Sequence, residues 1–166
     1  MMRAVDENLR QVVHQAAARD DVVRAVRALY DDVQAEVDRR RPLCVISGRC
    51  CRFEEYGHRL YVTTLELAAF VHDLARAGRV RLPPWDGTGC PYQAGKLCGV
   101  HPIRPFGCRM FFCDATSTAW QTETYEHFHS RIKALHHELK VPYHYLEWRQ
   151  ALNLLDTLSV SPNPEP

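Results

Sequence analysis

The chain has 166 residues, 46% hydrophobic and 10% aromatic, enough for a packed core, and predicts a single domain over residues 1–160. Its 21 basic and 20 acidic residues leave a formal charge of +1, which argues against nucleic acid as a partner and names no protein partner. The N-terminus lacks the apolar run of a secretory signal, and no stretch approaches the roughly 18 unbroken apolar residues of a membrane span, so a cytoplasmic protein with no membrane partner is expected.

Residues 4–40 read as two helices. Val22, Val26, Leu29, Val33 and Val37 recur at intervals of three or four, as one buried helix face requires. Asp20 and Asp21 suit the start of the second helix, and Pro42 ends it, because the residue before a proline is pushed away from helical angles. A short extended piece over 58–62 leads into a helix over 64–77, where Thr63 and Glu66 have the spacing of a capping box.

From 80 to 114 the periodicity stops. This stretch holds five of the 10 prolines and five of the 8 glycines, so regular structure is nearly excluded there. Periodicity returns over 117–158. Tyr125, Phe128, Ile132, Leu135 and Leu139 share one helix face. Pro142 marks a turn before a last helix with Tyr145, Leu146, Trp148, Leu152 and Leu155 on its apolar side. The tail, 161–166, reads as disordered. The expected fold class is therefore mainly α, with N- and C-terminal helices packed around an irregular cysteine-rich loop region.

An irregular stretch of that length inside a compact domain needs an organiser other than a backbone ladder. All seven cysteines lie between Cys44 and Cys113, and neither helical zone contains one. In a reducing cytosol such clustering points to metal, and an odd count does not pair off into disulfides within one chain. Thiolates are soft ligands that select zinc, copper(I) or iron–sulfur clusters. A structural zinc site returns about 10–16 kcal/mol, against about 1–2 kcal/mol of backbone entropy for each residue ordered. The expected cofactor is zinc or an iron–sulfur cluster.

The first cluster contains Cys44, Cys50 and Cys51; the second contains Cys90, Cys98, Cys108 and Cys113, with His101 three residues after Cys98. Neighbouring side chains diverge by about 100° in a helix, so one of Cys50 and Cys51 is expected to ligate while the other bridges or packs behind. The leading candidates are Cys44, Cys51, Cys90, Cys98 and Cys108, followed by Cys50, Cys113 and His101. Four thiolates on a divalent ion carry about two net negative charges, and Arg104 and Arg109 inside the loop are placed to offset them from behind the ligands.

At these residues the sequence resembles the YkgJ-type cysteine-cluster family, described as a zinc- or iron-chelating domain. Cys44, Cys50 and Cys51 match its Cys-x-x-Cys-x-x-Cys-Cys block, with Ser47 where the second cysteine is expected. Cys90-Pro91, Cys98, Arg104-Pro105, Cys108-Arg109 and Phe111 match its later block. The resemblance covers residues 44–113 and implies metal chelation, with the ligand set reduced by Ser47. A related cluster occurs in flagellin lysine methylases, which makes an iron–sulfur-dependent redox or methyl-transfer enzyme the alternative function. A zinc-stabilised interaction module is the second. No phosphate-cradling glycine loop or nucleophile elbow is present to support an enzyme.

Overall fold

The computed structural model describes residues 2–78 and 85–156. It is mainly helical. Helices α1 (Met2–Ala17) and α2 (Asp20–Arg40) are followed by the single turn α3 (Phe53–Tyr56), strand β1 (Tyr61–Thr63) and α4 (Thr64–Arg76). Next come a two-residue hairpin, β2 (Gln93–Ala94) and β3 (Leu97–Cys98), and the one-turn α5 (Phe106–Arg109). Helix α6 (Thr118–Glu138), strand β4 (Tyr145–Glu147) and α7 (Trp148–Asp156) complete the described chain.

The valine and leucine spacing produces the expected buried face of α2: Val22, Val26, Leu29 and Val33 are all buried. The helix closes at Arg41, a left-handed residue (φ 52°) whose N–H bonds the Val37 carbonyl, just before Pro42. On α4 the capping box is present. The Glu66 N–H donates to Thr63 Oγ1, and the Thr63 N–H donates to Glu66 Oε2 at 2.7 Å.

Helix α4 is buried on two sides and joins two apolar clusters. Leu65, Ala68 and Ala69 pack with α2, α6 and Phe106. Leu67 and Phe70 face α1, α7 and the cysteine region, where Phe53, Tyr92 and Trp148 meet Cys51 and Cys90. Each fully buried large side chain contributes roughly 1.5–3 kcal/mol. The cysteine loops are therefore one wall of the core.

One expected element differs. Tyr145 and Leu146 do not belong to the last helix but to β4, which pairs antiparallel with β1 in the register Tyr61↔Glu147, Val62↔Leu146, Thr63↔Tyr145. The Thr64 N–H donates to the His144 carbonyl and the Trp148 N–H to the Leu60 carbonyl, so an extended segment satisfies the open edge of β1 before helix α7 starts. Apolar spacing over so few residues fits either structure. The irregularity expected between 80 and 114 is interrupted by β2, β3 and α5, while residues 79–84 and the tail at 161–166 lie outside the described residues.

Candidate metal centre

Three chain segments converge at the centre, and tight backbone contacts bring them there. Gly48 (φ 74°) opens a 3-10 turn, Arg49–Cys51, and a Cβ at Gly48 would lie 2.8 Å from Gln93 Nε2 and 3.2 Å from the Lys96 Cα. Gly89 (φ 60°) approaches from the second segment, where a Cβ would stand 2.6 Å from the Cys51 carbonyl oxygen. That closeness lets the Cys90 N–H donate to the Cys51 carbonyl at 2.8 Å. Gln93 Nε2 donates to the Gly48 carbonyl at 3.2 Å, and the Gly99 N–H reaches the Tyr92 carbonyl at 2.8 Å, folding the hairpin so that Cys98 returns beside Cys90.

The third segment is α5, which carries Cys108. Its anchor is Phe106, buried in the core and stacked on Tyr125 at 4.9 Å. The Phe106 N–H donates to Glu66 Oε1 at 3.0 Å, so the buried carboxylate that caps α4 also fixes the cysteine loop. Burial pushes the Glu66 carboxyl up to about 7.

Five sulfurs share this place. Cys50 and Cys51 lie with their sulfurs 4.0 Å apart, so the adjacent pair does not diverge as a regular helix would require: the 3-10 turn ends between them and Arg52 (φ −97°, ψ 68°). The Cys51 thiol also interacts with Cys90 and Cys98, and these three neighbours raise its pKa strongly because it holds the proton they share. Their own interactions with the Cys51 thiol lower the pKa of Cys50, Cys98 and Cys90. Burial pushes the Cys108 thiol well above the usual value, with the negative ends of Cys90, Cys98 and Cys50 adding to it. Thiols that bind a metal must release their protons.

The other candidates lie elsewhere. Cys44 and Cys113 are exposed, and Cys113 contacts Ser47, Sγ to Oγ 3.7 Å. His101 is exposed, and partial burial with nearby Arg104 and Arg109 pushes its pKa down. The two loop arginines separate in role. Arg109 holds the loop, donating to the Arg104 and Pro102 carbonyls and resting 4.2 Å from the Tyr30 ring centroid. Arg104 lowers the pKa of Cys50 and Cys98 through its charge.

The surroundings suit a thiolate-bound cation. One buried N–H, Arg104 Nε, has no hydrogen-bond partner, and the Arg104 charge acts on Cys50, Cys98 and Cys108, while the Trp148 indole interacts with Cys90 and lowers its pKa. Unpartnered buried donors are costly, and thiolate ligands are the acceptors that would satisfy them. At a zinc–sulfur length of about 2.3 Å, two sulfurs at tetrahedral corners stand about 3.8 Å apart, close to the Cys50–Cys51 separation. Yet no group of three or more His, Cys, Asp or Glu side chains among the described residues is spaced as a finished metal cage. The thiols are gathered but hydrogen-bonded to one another.

A cleft of about 280 Å³ opens against this cluster, with Cys50 and Cys108 on one wall. His58 stacks on Phe111 at 4.7 Å and lies within 3.3 Å of the Cys50 carbonyl through Nε2, and Tyr61, Tyr125 and Tyr145 also line the cleft. Spacing placed Tyr125 and Tyr145 on helix faces and gave none of these rings a part in a site; the β1–β4 pairing brings Tyr61 and Tyr145 together. No helix among the described residues is long and apolar enough to cross a membrane. Comparison with protein-family models, curated proteins and solved structures finds no match to this chain.

Proposed function

We propose that this chain is a metal-binding cysteine-cluster protein that chelates zinc or an iron–sulfur cluster through thiols drawn from Cys50, Cys51, Cys90, Cys98 and Cys108. The observation that carries the reading is the meeting of Cys51 with Cys50, Cys90 and Cys98 beside the unpartnered Arg104 Nε–H and the Trp148 indole that interacts with Cys90. The resemblance of residues 44–113 to the YkgJ-type family supports the same chemistry. A reducing, cytoplasmic compartment suits free thiols. When bound, the metal would supply a fixed positive centre that holds the loops together. This chain's residues supply the sulfurs, a cation in Arg104 and an indole donor in Trp148 that stabilise the anionic ligands.

The test is metal and acid-labile sulfide content on protein purified without oxygen or chelator. Near-stoichiometric zinc, or iron with sulfide, is the expected result. Cys51→Ala and Cys98→Ala should lose most of it, whereas Cys44→Ala and Cys113→Ala should keep it. Metal-free wild-type protein, or a Cys51→Ala variant that retains full metal, overturns the reading.

A further inference from the structure

The thiol cluster is closed by core packing on the Phe70 and Trp148 side and open on the side of the cleft. A closed structural metal site needs no such opening, and this one has a specific build. Its walls are ring pairs: His58 on Phe111 at 24° between planes, and Tyr61 on Tyr145 at 29° with centroids 5.3 Å apart. Tyr125 completes the second wall, its hydroxyl bonded to that of Tyr145 at 2.9 Å. Tyr61 and Tyr145 remain 40% and 41% exposed, which leaves aromatic surface for a further ring.

Gly107 and Leu60 both line the cleft. A Cβ at Gly107 would lie 2.5 Å from Leu60 Cδ1, so α5 packs close against the Leu60 side chain while Cys108 borders the cleft. Arg59 and Glu126 both line the cleft, so an ion of either sign meets one like charge, whereas a neutral molecule with both donor and acceptor edges is served by both. The carbonyl of Gln121 already accepts the Phe112 N–H at 2.6 Å, which leaves its amide nitrogen as what it offers a ligand. The volume, about 280 Å³, lies near the lower end of the usual 300–1,000 Å³ for ligand pockets and limits the occupant to one or two fused rings.

We propose that this cleft binds a small, neutral, planar nitrogen heterocycle, stacked on its aromatic lining with one edge toward Cys50 and Cys108. The proposal rests on the metal-binding reading for the purpose of that edge, since a ring nitrogen is a favourable additional ligand for zinc or iron held by thiolates. It makes the cysteine cluster an open centre that meets a ligand, and makes the tyrosine wall its specificity surface.

The test titrates benzimidazole into the full-length, metal-loaded protein and follows amide proton–nitrogen shifts, with metal content assayed on the same sample. Saturable shifts at Gly107, Phe111 and Tyr145 are expected, with the carbocycle indane bound at least about tenfold more weakly. Thr122→Trp, an exposed α6 position that projects bulk into the cleft, should weaken benzimidazole about tenfold or more while helicity and metal content persist. Shifts that fail to saturate, that map elsewhere, that indane reproduces equally, or that Thr122→Trp leaves intact overturn the proposal. Protein that takes up no metal on loading yet binds benzimidazole at these residues supports the cleft and overturns only the chelation reading.

Discussion

The helical frame and the cysteine loops are held by different physics. In the frame, α2, α4 and α6 bury Val26, Leu29, Leu65, Ala69, Phe128 and Ile132 on periodic faces, and any one contact is a small part of a large sum. In the loops, positions depend on single backbone bonds, such as Cys90 to Cys51 and Gly99 to Tyr92, and on sulfurs that meet at one point. A region built on many interchangeable contacts tolerates loss. One built on a few specific contacts fails when any is removed.

Metal removal should separate the two regions most. On the proposed metal-binding reading, with thiolate sites worth on the order of 10 kcal/mol, a chelator should abolish amide-exchange protection over 89–108 while protection in α2, α4 and α6 persists. Uniform loss across both regions would show that they form one cooperative unit. Phe106→Ala should couple them, because its ring sits in the frame core while its helix carries Cys108. A loss of about 3–5 kcal/mol in denaturant unfolding is expected, together with weakened metal retention; full stability would place the ring outside the core.

Glu66 joins the regions through its bonds to the Thr63 and Phe106 N–H groups, and its proton affinity gives the joint a pH dependence. Its carboxyl titrates near 7 when folded against an ordinary 4.5, so the folded chain holds the extra proton between those values. The stability from this group is therefore full below about pH 4.5 and is lost as pH rises through about 7, a difference of about 3 kcal/mol. Glu66→Gln should remove that slope when the two proteins' unfolding free energies are compared across pH 5–8, and identical slopes would refute the assignment. Gly89→Ala should have the smallest effect on the frame, about 1–3 kcal/mol from a strained left-handed residue, but should displace Cys90 from the Cys51 carbonyl. Reduced metal content at near-normal helicity is the expected signature.

Much of the frame was legible because helix formation is local: the Val22-to-Val33 spacing, the Thr63–Glu66 capping box and Pro42 each act within a few residues. The β1–β4 pair was not, since Tyr145 and Leu146 become extended only because residues far earlier in the chain present unsatisfied carbonyl and N–H groups. The site divides the same way. Sequence alone determined that every cysteine lies between the helical zones and that this stretch needs something other than periodic packing to order it. Only the tertiary structure decided that Cys50, Cys90 and Cys98 come to Cys51 with Cys108 alongside, while Cys44 and Cys113 stay exposed. Spacing sets what neighbouring residues can reach, whereas contacts across some forty residues depend on left-handed glycines and on which wall of the core each loop is packed against.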